Sequence, residues 1–177
     1  MSDQRKVVVY IAMSLDGYIA TEDDSLEWLF KVEGEGDNGY SAFYDTIDAI
    51  IVGRRTYDWV IQKEGEDNFP YKNVKCYVYS NTLKGKTEYV EFTNEEVSEL
   101  VARLKQEEGK DIWVIGGGDL LHDFIKNRLI DEFIINVAPV LIGKGIPLFQ
   151  KNSFETELNL VDIKRHNQFA ELHYVRK

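Results

Sequence analysis

The segment Asp111-Ile-Trp-Val-Ile-Gly-Gly-Gly-Asp-Leu-Leu121 runs a buried-looking, β-branched stretch into three glycines and then a helical pattern. A strand that feeds a helix this abruptly points to an α/β fold, in which helices cover the faces of a largely parallel sheet. Gly116, Gly117 and Gly118 let the main chain turn sharply and leave no Cβ in a ligand's way. Free amides and the helix dipole at such a junction suit an anionic group such as a pyrophosphate. The spacing departs from the dinucleotide fingerprint G-x-G-x-x-G, whose last glycine would fall at Leu121. A tight strand-to-helix turn explains the same glycines, so other segments have to decide.

The alternation recurs along the chain. Patterning predicts strands near 6–12, 49–53, 74–79, 87–92, 111–115, 131–138, 156–165 and 168–176, and helices near 25–31, 38–47, 54–61, 94–108 and 118–127. Thr93 and Glu96 have the spacing of a capping box ahead of Val97, Leu100, Val101 and Leu104, which share one helix face. Gly109 is a plausible stop. The last two strands meet at Arg165-His-Asn-Gln168, too short for a crossover, so they form an antiparallel hairpin. The expected architecture is a three-layer α/β/α sandwich on a mixed, mostly parallel sheet, with residues 1–177 as one domain. Surface loops are expected over 62–73 and 138–152.

Composition narrows the function. A formal charge of −10 argues against nucleic acid or an anionic membrane as partner. It also means that an anionic ligand must be held by local dipoles and a few placed cations. No apolar run approaches the roughly 20 residues that span a bilayer. Lys6–Ala12 is too short for a signal segment, which leads to the expectation of a soluble, cytoplasmic protein. The single cysteine, Cys76, lies in an apolar run and reads as core. His122, His166 and His173 lack metal-ligand spacing, so no metal is expected.

Four segments stand at the C-terminal ends of predicted strands, where open α/β sheets bind ligands. They are Ser14-Leu-Asp-Gly-Tyr-Ile-Ala20, Val52-Gly-Arg-Arg-Thr-Tyr57, Tyr79-Ser-Asn-Thr82 and Ile115-Gly-Gly-Gly118. With Ala138-Pro-Val-Leu-Ile-Gly-Lys-Gly-Ile-Pro-Leu-Phe149 behind them, the order resembles the dihydrofolate reductase-like superfamily, over residues 6 to 176. It is most similar to the branch holding the reductase domain of bifunctional riboflavin-biosynthesis proteins.

The resemblance implies an NADPH-dependent reductase. It implies that Ala12, Gly17 and Ile19 border the nicotinamide, and that Gly53, Arg54, Arg55 and Thr56 meet the pyrophosphate and 2′-phosphate. Ser80 and Asn81 would lie beside the adenosine ribose and its phosphate. Gly116, Gly117, Gly118, Asp119 and Leu120 would wrap the pyrophosphate, with a Gly116–Gly117 bond that is often cis in the superfamily. A threonine hydroxyl and free amides at a helix start suit phosphate, and guanidinium adds charge and a donor fork. Solvated helix-start cations and ordinary turn formers are the competing explanations for the arginines and for Ser80 and Asn81.

On the substrate side, Asp37 falls 16 residues before Gly53, which aligns it with the acidic residue that contacts the pterin in dihydrofolate reductases. A helix begins there too, so an N-cap aspartate competes. Asp16 either orients substrate or forms an Asx turn with Gly17. Asp37 and Asp16 are the catalytic candidates: hydride passes directly from the nicotinamide, and the proton is expected from Asp37, Asp16 or ordered water. Trp28 either closes one side of the pocket or packs in the core, and Tyr40, Ser41 and Tyr44, on one helical face, are candidate pocket walls. Asn136 is a polar residue inside the apolar run 133–137 and must find backbone or substrate partners.

Tyr10 stands where riboflavin-pathway reductases typically carry a lysine, and Trp28 lacks the flanking prolines of strict dihydrofolate reductases. The reading is a reductase of the 5-amino-6-(5-phosphoribosylamino)uracil reductase type, acting on a small heterocyclic substrate. Dihydrofolate reduction and a non-catalytic nucleotide-binding homologue remain the alternatives. The C-terminal hairpin leaves an edge strand that can pair with a second copy, which predicts a homodimer.

Overall fold

A computed structural model describes residues 4–152 and 154–177. Among the described residues the chain forms β1 (Val7–Ser14), β2 (Tyr18–Ala20), α1 (Glu27–Phe30), α2 (Tyr40–Tyr44), β3 (Ile47–Gly53) and α3 (Arg54–Glu64). A single 3-10 turn, Glu66–Asn68, precedes β4 (Lys75–Tyr79), β5 (Gly85–Lys86), β6 (Val90–Thr93), α4 (Val97–Gln106), β7 (Asp111–Gly116) and α5 (Gly118–Lys126). The chain ends with β8 (Glu132–Ala138), β9 (Ile146–Pro147), β10 (Leu158–His166) and β11 (Phe169–Arg176). No helix among them is long and apolar enough to cross a membrane.

Nine strands make one sheet in the order β10-β11-β8-β1-β7-β3-β4-β6-β5. The run from β8 to β6 is parallel, and β10, β11 and β5 are antiparallel additions at the two ends. The expected mixed sheet and C-terminal hairpin are thus present. The hairpin turns at Asn167, whose φ of 54° is the left-handed conformation that asparagine tolerates.

The Val-Val-Val start of β1 explains its central place, because a strand covered on both faces needs apolar residues in both registers. Val7 and Val9 face the core under α4 and α5; Val8 faces the core under α2 and α3. Helix α4 buries Val97, Leu100, Val101 and Leu104 at the predicted spacing, and α5 buries Leu120, Leu121 and Phe124. Each such side chain contributes about 1.5–3 kcal/mol. The last two anchor α5 strongly enough to fix where its N-terminus points.

Several boundaries differ from expectation. Thr93 belongs to β6, where it pairs with Tyr79, and its hydroxyl accepts the Glu95 amide at 3.2 Å. The sheet has claimed the proposed cap, so α4 begins at Val97 with Glu96 as N-cap and ends before Gly109. The expected strand 87–92 is a hairpin, because Thr87 folds back on Val90 (N to O 2.7 Å). Part of 62–73 packs inward: α3 runs on to Glu64, and Phe69 is buried. Within 138–152, β9 pairs with β2 as a second small sheet.

Candidate active site

Strands β3 and β7 are neighbours, so their C-terminal ends bring the starts of α3 and α5 together. The junction is tight: a Cβ at Gly53 would lie 3.3 Å from the Gly117 nitrogen. A Cβ at Gly117 would lie 3.4 Å from Thr56 Oγ1. Gly116 has a φ of 112°, open only to glycine without strain, and the Gly116–Gly117 peptide is cis. Neither helix has a side-chain cap, since Gly53 and Gly117 occupy both N-cap positions. Two uncapped helix starts therefore present their first amides, at residues 54–56 and 118–120, to one place. Their dipoles add there, which makes a strong anion cradle.

The two arginines at the start of α3 part company. Arg54 Nε lies 2.7 and 2.8 Å from the Asp58 oxygens, and its Nη1 reaches Thr82 Oγ1 at 3.2 Å and Ser80 Oγ at 3.4 Å. Ser80 is buried and also accepts the amides of Thr82 and Leu83, which fixes the turn after β4. Asn81 stands exposed on that turn. Arg55 swings the other way, to Asp24 Oδ2 at 2.7 Å. Thr82 and Asp24 thus join the rim, and sequence reasoning assigned neither.

The loops after β1 and β8 close the other side. The Ser14 hydroxyl donates to Asp16 Oδ1 at 2.6 Å, while Asp16 accepts the amides of Gly143 at 2.8 Å and Ile142 at 3.2 Å. The Ser14 hydroxyl, aided by those amides, holds the Asp16 carboxyl below its ordinary value of 3.8. Gly17 takes a φ of 90°, and its carbonyl accepts the Leu148 amide at 2.9 Å. A Cβ on Gly118 would lie 3.2 Å from the Pro147 carbonyl, so this double loop abuts the start of α5. Asp119, exposed, accepts Gln150 Nε2 at 2.5 Å. Ile19 packs into the core beneath, while Ala12 lies half-buried late in β1.

The predicted substrate residues spread out. Asp37 is exposed and spends its oxygens on its own helix start, accepting Gly39 N at 3.0 Å and Ser41 N at 2.9 Å. The Ser41 side chain and amide keep its carboxyl below 3.8. Tyr40 and Tyr44 pack against the core, their rings 5.8 Å apart, while Ser41 faces solvent. Burial pushes the Tyr40 hydroxyl up to about 12. Trp28 is half-buried in α1, with its indole Nε1 enclosed and unpaired among the described residues.

Asn136 is 5% exposed, and its Oδ1 likewise has no partner among the described residues. In register beside it lies Glu171, 8% exposed, whose Oε2 is 2.9 Å from His166 Nε2. Burial, then the nearby Glu171 charge, pushes the adjoining Tyr10 hydroxyl up to about 12. Glu171 and His166 escaped the sequence reading because a polar residue alternating along a terminal hairpin looks like a solvent-facing one. Residues 33–39, distant in sequence, are what cover them.

A model of the RibD C-terminal domain matches residues 5–170. The protein YwjB of Bacillus subtilis (strain 168) is 51% identical over 174 residues, covering 98% of this chain and 99% of its own. A crystal structure of a putative riboflavin biosynthesis protein from Shewanella sp. PV-4 is 30% identical and superposes with a TM-score of 0.86, over 97% of this chain and 99% of that one. Dihydrofolate reductase from Enterococcus faecalis, complexed with NADP(H), shares the fold at 16% identity and a TM-score of 0.65, over 98% of both chains.

Proposed function

This chain belongs to the RibD C-terminal domain family and carries the dihydrofolate reductase-like fold, and on that premise we propose that it is an NADPH-dependent reductase of a small heterocycle, of the 5-amino-6-(5-phosphoribosylamino)uracil reductase type. One observation carries the reading: two uncapped helix N-termini converge where Gly53 meets Gly117, with Arg54, Ser80 and Thr82 on the adjoining rim. That is a cradle for a pyrophosphate next to a site for one further phosphate.

In this reading the amides of 54–56 and 118–120, with the Thr56 hydroxyl, hold the pyrophosphate. Arg54, Ser80 and Asn81 hold the 2′-phosphate, which selects NADPH over NADH. Arg55 supplies charge at the rim. The backbone of Ala12, Gly17 and Ile19 seats the nicotinamide. NADPH supplies the hydride when bound; the protein's task is to fix the two rings face to face and exclude water. Asn136, Trp28, Tyr40 and Tyr44 bound the substrate pocket, with Ser41 at its outer edge. Asp16 and Asp37 act as positioning groups, because their carboxylates already hold the 140s loop and the start of α2. We place the enzyme in the cytoplasm as a one-domain protein that pairs with a second copy through the edge of β10.

Calorimetric titration with NADPH and NADH tests the reading. Tight NADPH binding, with NADH weaker, supports it. Binding of neither nucleotide overturns it.

A further inference from the structure

A row of residues crosses the sheet beyond the nucleotide cradle. Ala12 of β1 pairs with Asn136 of β8, which pairs with Glu171 of β11. Residues directly opposite one another share a sheet face, so these three stand side by side. Their face is the one shared with Tyr10 and Ile134, which pack into the core under α2. Buried acceptors in native structures are nearly always satisfied, and an orphan calls for an explanation. Here Asn136 Oδ1 is an orphan among the described residues, and its neighbour in register is a buried carboxylate.

The carboxylate is held, not free to wander. Glu171 Oε2 lies 2.9 Å from His166 Nε2, and Oε1 lies 4.0 Å from Lys164 Nζ, so each carboxyl oxygen faces a nitrogen of the same hairpin. Overhead, a Cβ on Gly39 would lie 3.6 Å from His166 Cε1 and 4.0 Å from Glu171 Oε2. The 33–39 segment therefore passes directly over the pair. Ala12, at the other end of the row, is small and half-buried, which leaves the approach along the strand ends low.

We propose that Asn136 and Glu171 form the head-group subsite of the substrate, accepting two adjacent N–H donors on its ring. The ligand class is a vicinal diaminopyrimidinedione, whose neighbouring amino groups match two acceptors standing side by side. This assignment rests on the reductase reading for the identity of the ring. It moves substrate recognition from Asp37, which precedes α2 and whose oxygens are spent on the Gly39 and Ser41 amides, to the strand-borne pair. His166 and Lys164 are positioning residues that act through Glu171.

The test titrates 5,6-diaminouracil and uracil, in oxygen-free buffer, into the full chain and its Glu171→Gln variant. The wild type is expected to bind 5,6-diaminouracil about tenfold or more tighter than uracil, the worth of one charge-assisted hydrogen bond. Glu171→Gln is expected to cut that ratio to about threefold or less. Equal affinities in the wild type overturn the proposal, as does a ratio untouched in a folded variant. Should Glu171→Gln not fold, the wild-type Asn136 side-chain amide resonances decide. They should shift with 5,6-diaminouracil more than with uracil at equal saturation, and equal shifts overturn the subsite. NADPH is titrated into the same samples: its failure to bind sinks the reductase reading, while the probe ratio judges the acceptor pair independently.

Discussion

Arg54 reaches from the first turn of α3 to Thr82 on the turn after β4, Nη1 to Oγ1 3.2 Å, with Asp58 bracing its Nε from behind at 2.7 Å. The guanidinium is thereby aimed before any ligand arrives. Arg54→Ala should weaken NADPH about tenfold to a hundredfold, as loss of a charge-assisted phosphate contact does, and NADH by less than about threefold. Calorimetry reads both. Equal losses for the two nucleotides would remove the 2′-phosphate role. Arg55→Ala should cost less, since that side chain is exposed and tied to Asp24.

Asp16 links stability to acid. Its folded carboxyl titrates below 3.8, so the ionised form favours the folded chain. That contribution is present above 3.8 and is lost as pH falls through the depressed value. Urea midpoints measured from neutral pH down into this range should therefore drop in the wild type. Asp16→Asn should start lower at neutral pH and fall less steeply in acid. Parallel curves for the two proteins would contradict the assignment.

Gly145 marks the closest approach of the two loops beside the cradle. A Cβ there would overlap the Ala20 carbonyl oxygen, and backbone cannot yield as a side chain does. Gly145→Ala should destabilise the fold by about 1–3 kcal/mol, typical of overpacking, and lower Tm by several degrees. Calorimetry of unfolding checks it; an unchanged Tm would mean that the loop relaxes freely.

Leu160, Val161 and Ile163 are half-exposed or more on the outermost strand, β10. If that edge pairs with a second copy, the wild type should scatter light as a dimer, and Ile163→Lys should shift it towards monomer. A monomeric wild type would withdraw the dimer.

The sequence was most readable where both periodicity and glycine chemistry spoke. Val97, Leu100, Val101 and Leu104 marked one helix face, and all four are buried. Gly116 to Gly118 marked a strand-to-helix turn, which is what they form. Adjacent letters misled where geometry separates them: Arg54 and Arg55 sit about 100° apart around α3, at 3.6 residues per turn, and face different partners. Thr93 looked like a cap because its pairing with Tyr79 depends on sheet order, which no local pattern carries. Glu171 was hidden for a similar reason: only the tertiary cover over the hairpin turns an alternating polar position into a buried one.

Strand β1 has β7 on one side and β8 on the other. On the ribosome this makes β1 wait for both of its neighbours. Val7, Val8 and Val9 are translated well before either neighbour, since β7 is complete only at Gly116 and β8 only at Ala138. At roughly 5–20 residues per second the interval is on the order of ten seconds. Until Gly116 a strand apolar on both faces has no partner, and until Ala138 it has only one; nascent chains stalled before Ala138 are therefore predicted clients for chaperones and proteases, and completion of β8 is the event that commits the sheet to its order.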